Sequence, residues 1–172
     1  MDLAVSILIG LSFLGSAVVS LPNLVVEWAR RSAPEVVFSV PTSDSVLALS
    51  IDDGPSPATP EILDVLRSND ARATFFLIGE NVRERPEVAR RVVEAGHEVG
   101  HHMMEDRPSR ELAPDAFDAR FAAMDGILAD LGGSRLFRPG SGWYDDRMIR
   151  TAGDRGYRTV LGSVYPFDAH LP

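Results

Sequence analysis

Between Val46 and Val164 the chain alternates short apolar runs with stretches of helical periodicity, and this alternation constrains the fold more than any other feature. Runs of strand length stand at Val46–Ile51, Ala73–Ile78, His97–Gly100, Leu136–Arg138 and Tyr157–Val164, the second and last rich in β-branched or aromatic residues. Helical patterns separate them. Thr59 can cap a helix with Pro60 at its first position, placing Ile62, Leu63 and Leu66 on one face. Pro86 opens a second, through Val88, Val92 and Val93, which Gly96 stops. Phe117, Phe121, Met124, Leu128 and Leu131 keep the three-four spacing of a buried helical face and end at Gly132-Gly133. Asp145 or Asp146 starts a fourth helix, which ends at Gly156. Such alternation predicts βαβ units and an α/β fold, built on a parallel sheet or a barrel.

The N-terminal part reads differently. Leu3 to Leu21 is an uncharged apolar run close to the roughly 20 residues needed to span a bilayer. An uncleaved membrane anchor is the favoured reading. A secretory signal is the second, with small residues at Val18-Val19-Ser20 but Asp2 where a positive region belongs, and a buried core helix is the third. Arg30 and Arg31 after the span favour a cytoplasmic domain by the positive-inside rule, but Glu27 and Glu35 flank them, so orientation rests on other grounds. The expected organisation is an anchor or signal over residues 1–31, a Pro-containing linker over 32–45 in which "VVFSV" can add a short strand, and one domain over 46–172.

Composition excludes several classes of function. A net charge of −8, with all 17 basic residues arginine, argues against nucleic acid as the main partner. With no cysteine there is no thiolate nucleophile, disulfide or thiolate-held metal, so any metal site is built from His and carboxylate.

In parallel α/β folds the site gathers at the carboxyl ends of the strands. The first predicted strand runs into Asp52-Asp53 before Gly54-Pro55, the third into His101-His102, the fourth ends on Arg138, and Asp168 follows the fifth. An Asp-Asp-Gly-Pro stretch alone is often only a turn. In "GHEVGHHMMED", His102 and Asp106 are four apart and share a face if the segment is helical, with His97, His101 and Glu105 nearby. After Arg138, Pro-Gly-Ser-Gly makes a tight turn whose backbone N–H groups can face a site.

In this order the residues resemble the NodB-type polysaccharide deacetylases, the fourth family of carbohydrate esterases. Ser50 to Pro55 is similar to that family's Thr-Phe-Asp-Asp-Gly-Pro motif and Gly96 to Asp106 to its His-containing second motif. Arg138 to Gly142 resembles the Arg-Pro-Pro-Tyr-Gly motif, and Ser163 to Ala169 the fourth, which ends in Asp-Trp.

The resemblance implies a distorted (β/α) barrel, here incomplete at the C-terminus, and metal-dependent removal of an acetyl group from an N- or O-acetylated glycan. Asp52 would be the base that takes a proton from a metal-bound water, with Asp53, His102 and Asp106 as metal ligands. Ser141 would offer its backbone N–H to the oxyanion, and Arg138 would orient the base with Asp168 as its partner. Asp106 stands where the family usually has His, so zinc or a harder ion such as manganese or cobalt is expected. Ala169 replaces the tryptophan of the fourth motif, and Trp143 is a candidate to line the groove instead.

The family continues past the position of Pro172 to a fifth motif whose His protonates the leaving group. An open sheet edge, covered by a partner or a second copy, is therefore expected. Loss of that acid would impair amide hydrolysis more than ester hydrolysis. His170 is a candidate to replace that acid, though a terminal residue reads first as solvated. The alternative is a catalytically silent domain that retains metal or sugar binding. A magnesium-dependent phosphate enzyme is disfavoured, because neither a glycine-rich phosphate loop nor any Lys accompanies Asp-Asp-Gly. The glycan substrates of the family place the domain outside the cytoplasm, tethered to the membrane, or secreted if the N-terminal segment is cleaved.

Overall fold

The computed structural model describes residues 27, 28 and 31–164; the apolar run Leu3–Leu21, Arg30, Asp168, Ala169 and His170 lie outside them. The chain divides into two compact units, Pro41–Leu161 and a second made of Met1–Val40 with Gly162–Pro172. The second unit has a two-residue strand, β1 (Val36–Val37), within the expected "VVFSV". No helix of the described residues is long and apolar enough to cross a membrane.

The unit Pro41–Leu161 alternates as the sequence predicts: β2 (Ser50–Gly54), α1 (Thr59–Ser68), β3 (Thr74–Leu77), α2 (Gly79–Glu84), α3 (Pro86–Glu94), β4 (Glu98–His101), α4 (Pro114–Asp130), β5 (Leu136–Phe137), α5 (Asp146–Asp154) and β6 (Arg158–Val160). Its strands lie in the order β6-β5-β4-β3-β2, and every neighbouring pair is parallel. Spatial order therefore follows chain order with no reversal. Right-handed crossovers then place successive helices on one face of the sheet.

Side-chain alternation divides the two faces. Phe75 and Leu77 of β3, Val99 and His101 of β4 and Phe137 of β5 pack with Leu63, Leu66, Val92, Phe117, Phe121, Met124, Leu128 and Met148 from the helices. Phe76, between Phe75 and Leu77, faces the other way. A Cβ at Gly100 would lie 2.8 Å from the Phe76 ring, so glycine there makes room for it.

Several boundaries differ from expectation. Val46 to Ala48 do not join β2, because its one neighbour in this unit, β3, begins at Thr74, and only Leu49 O still accepts the Thr74 N–H. Val46 and Leu47 are left 72% and 84% exposed. β6 keeps three of its eight expected residues, since its pairing with β5 extends only over Arg158 and Thr159. Thr59 is not a cap: the helix starts at Thr59, and its hydroxyl instead accepts the Ser56 N–H at 2.8 Å. Asp145 does cap α5, accepting the Met148 N–H at 2.8 Å. The short helix α2 has no sequence signature, because six residues with Val82 as the one large apolar side chain show no period.

His101 is fully buried on the helical face, stacked on Phe121 with ring centroids 4.0 Å apart. Its Nδ1 accepts the Met103 N–H at 3.2 Å, and its Nε2–H donates to Phe121 O at 3.1 Å, so the neutral ring is satisfied at both nitrogens. Desolvation by burial pushes the imidazole down to about 4, against the hydrogen bond to Phe121 O, which raises it. In the unfolded chain a histidine titrates near 6.5. Stability from the neutral ring is thus complete above pH 6.5 and lost as pH falls towards 4, by about 3 kcal/mol in all. Urea unfolding between pH 7 and 4.5 should show this decline, and His101→Asn, which keeps a donor and an acceptor without titrating, should flatten it.

Candidate active site

Consecutive residues of a regular strand point to opposite faces, so Asp52 and Asp53 would not ordinarily meet the same neighbours. The end of β2 is irregular. Its register with β3 shifts between Ile51 and Gly54, and Asp53 takes φ +62°, a left-handed conformation that Asp tolerates better than most residues. Both carboxylates thereby reach groups at the carboxyl ends of β4 and β5.

Arg138 follows β5 and is 7% exposed. Its guanidinium lies over the Phe76 ring, 4.1 Å from the centroid. Nε donates to Val160 O at 3.2 Å, and Nη1 donates to Ser50 Oγ at 2.9 Å and Asp52 Oδ1 at 2.7 Å. A buried cation is tolerated only when paired and hydrogen-bonded, and Asp52 supplies the anion. Among the described residues the carboxylate partner of Arg138 is thus Asp52 itself, while the expected partner, Asp168, lies outside them.

His102 is buried after β4, with its backbone N–H bound to Leu77 O at 3.0 Å. Its Nδ1–H donates to Arg138 O at 2.7 Å, which leaves Nε2 directed to the other side. Asp53 Oδ1 lies 3.2 Å from that Nε2. The hydrogen bond with His102 holds the Asp53 carboxyl below the usual carboxylate range, opposed by desolvation.

Two acceptors so close need a proton or a cation between them. Metal bonds of about 2.0–2.2 Å at ordinary angles set two ligand atoms about 3 Å apart, and a metal-ligating histidine characteristically donates its other N–H to a carbonyl or carboxylate. The Asp53–His102 pair fits a divalent ion by both criteria.

The expected third ligand is not brought to this pair. Among the described residues no group of three or more His, Cys, Asp or Glu side chains converges. The helical spacing of His102 and Asp106 does not apply, because Met103 takes φ +70° and residues 102–108 form no helix, 104–107 being bends. Asp106 is exposed there. Its neighbour Glu105 is held by Arg120, whose Nε lies 2.8 Å from both carboxylate oxygens. The remaining histidines of the motif are structural. His101 lies in the core, and His97, at the start of β4, accepts the Ala73 N–H on Nδ1 at 3.3 Å.

The turn after Arg138 is tightly built. Gly140 N–H donates to Ser109 Oγ at 2.8 Å, and a Cβ at Gly140 would lie 2.3 Å from Arg107 O, so only glycine fits. Gly142 N–H closes the turn onto Pro139 O at 3.0 Å, and Ser141 between them takes φ +63°. Ser141 is exposed, as is Trp143 just beyond it.

Ser50, named in the sequence only as the start of its motif, and Phe76, which no motif includes, both contact Arg138. Strand alternation would have found Ser50, two residues before Asp52 and on its face. Nothing local marks Phe76, one of two adjacent phenylalanines whose separate roles depend on the sheet. Together these groups place a carboxylate fixed by a buried guanidinium on the residue next to Asp53, which is paired with His102.

The profile described as polysaccharide deacetylase matches residues 39–160. A peptidoglycan-N-acetylglucosamine deacetylase of Bacillus cereus is 37% identical over 134 residues, covering 74% of this chain and 61% of the relative. A chitooligosaccharide deacetylase of Sinorhizobium fredii is 35% identical over 131 residues, covering 72% and 60%. The crystal structure of the Bc1960 peptidoglycan N-acetylglucosamine deacetylase superposes with a TM-score of 0.69 at 30% identity, over 73% of this chain and 60% of that one. BA3943 from Bacillus anthracis, described as a CE4 family pseudoenzyme, superposes with a TM-score of 0.74 at 26% identity, over 80% and 50%. The chain spans about three fifths of the length of these two curated relatives. Over residues 39–160 at least, the chain belongs to the polysaccharide deacetylase family.

Proposed function

We propose that this chain removes acetyl groups from an N-acetylated glycan by hydrolysis, with Asp52 as the base. The observation that carries the reading is the placement of Asp52, fixed by buried Arg138, beside the Asp53–His102 pair. The names of the relatives, acting on peptidoglycan N-acetylglucosamine and on chitooligosaccharides, supply the substrate class.

Asp53 and His102 would hold a divalent cation, which when bound would acidify water and polarise the acetyl carbonyl. A carboxylate and an imidazole suit manganese or cobalt as well as zinc. The chain's own groups do the rest. Arg138 fixes Oδ1 of Asp52, and the other oxygen accepts the proton of the attacking water. The Ser141 N–H donates to the oxygen on which negative charge develops. Collapse of the tetrahedral carbon breaks the bond to nitrogen, the proton collected by Asp52 passes to the departing amine, and acetate and the free amino sugar remain. An amine needs that proton more than an alkoxide does, so O-acetyl esters should react at least as readily.

A second reading, a domain that binds metal or sugar without turnover, is favoured by two observations. Asp106 does not converge with the pair among the described residues, and a pseudoenzyme is among the structural neighbours. The sheet is read as an arc of a family barrel, and exposed Val46 and Leu47 beside β2 favour its completion by a second copy, testable by sedimentation. Leu3–Leu21 supports a membrane tether, and the glycan substrates of the relatives favour a domain facing outward, which protease protection in intact cells would test.

Two measurements examine the catalytic reading. Acetate release from N-acetylated chitooligosaccharides and peptidoglycan, after loading with single metals, should be measurable for the parent chain and fall by about 100-fold or more in Asp52→Asn. A parent chain that binds metal but releases no acetate supports the silent domain instead. Arg138→Lys, which cannot reproduce the planar fork on Ser50, Asp52 and Val160, should lower kcat by roughly 10-fold or more with little change in KM. A KM effect alone would assign Arg138 to substrate binding.

A further inference from the structure

The stretch Leu77 to Asn81 grips both halves of the candidate cation site. On the His102 side, Leu77 O accepts the His102 N–H at 3.0 Å, and the first amides of α2, Gly79 and Glu80, donate to Met103 O at 3.0 Å and Met104 O at 2.9 Å. On the Asp53 side, Ile78 N–H donates to Gly54 O at 2.9 Å and Asn81 Nδ2–H donates to Asp53 O at 2.8 Å. At Gly79 α2 approaches the His102 loop closely, and a Cβ there would lie 2.3 Å from the Met104 sulfur, so the Met104 side chain would have to move.

Asn81 is the one side chain among these contacts. Asparagine is a poor helix former, and here it sits inside α2, with its amide turned to a backbone carbonyl of another strand. That carbonyl belongs to a residue in a left-handed conformation, φ +62°, within a register shift. Such a conformation holds only where its surroundings determine it. The direction of the Asp53 carboxylate depends on that backbone, and its target, His102, is fixed independently by Arg138 O and Leu77 O.

We propose that Asn81 is a positioning residue that sets the Asp53 carboxylate against His102 and thereby the affinity of the pair for a divalent cation. The inference rests on the reading that this pair holds a cation. Asn81 touches neither the ion nor the substrate and acts through the Asp53 backbone. Partners that hydrogen-bond a ligating group itself are worth about 10–100-fold in metal affinity, and Asn81, which acts through the ligand's backbone, belongs at the lower end of that span.

The test is calorimetric titration of the metal-free full chain with zinc and with manganese, without substrate. Asn81→Ala removes the amide, and Asn81→Leu keeps its volume and suits the helix but cannot donate. Thermal melts of the metal-free proteins verify folding. The parent should bind, and each folded variant should bind about 10-fold more weakly. If the Ala variant does not fold, the Leu variant decides. A parent that binds neither ion overturns the reading of the Asp53–His102 pair. A parent that binds, with a folded variant within about twofold of it, overturns the role of Asn81 alone and leaves the pair standing; that threshold is set well below the span expected for such partners.

Discussion

A guanidinium taken out of water must find an anion and fill its donors, and the site of this domain is organised around that demand. Arg138 lies on Phe76 of β3, hydrogen-bonds Ser50 and Asp52 of β2 and Val160 of β6, and offers its own carbonyl to His102 after β4. One buried residue therefore joins five strands. The carboxylate that neutralises it is the one proposed as the base. On that proposal fold stability and chemistry share the same contact, and a lesion at Arg138 would be felt in both.

The sheet makes this possible by its order. Because the strands of Pro41–Leu161 follow one another without reversal, the helices cover one face and the other is left for polar work. His101 and His102 show the division at the level of adjacent residues. His101 turns into the aromatic core, where both ring nitrogens are tied down, whereas His102 keeps Nε2 open towards Asp53. Asp52 and Asp53 achieve the opposite: the left-handed backbone at Asp53 cancels the alternation that would separate them.

The alternation of elements was legible because apolar period and Pro or Gly boundaries are local properties; every strand and four of the five helices of the main unit follow from them. Strand ends were less legible. Val46 to Ala48 have strand composition but nothing in their unit to pair with, and pairing is a property of the neighbour. The site residues Asp52, Asp53, His102 and Arg138 could be named from strand ends and motif order. The helical geometry expected for His102 and Asp106 failed because Met103 adopts a positive φ that no residue type at that position announces. Ser50, Phe76 and Asn81 act across strands, at separations that sequence spacing does not reveal.

The central claim is that Asp53 and His102 share a divalent ion next to Asp52. Anomalous diffraction from crystals of the manganese-loaded chain tests it most directly. The account predicts a peak at coordination distance from both Asp53 Oδ1 and His102 Nε2, with Asp52 still on Arg138. A peak on other residues, or none when manganese is bound in solution, would contradict it.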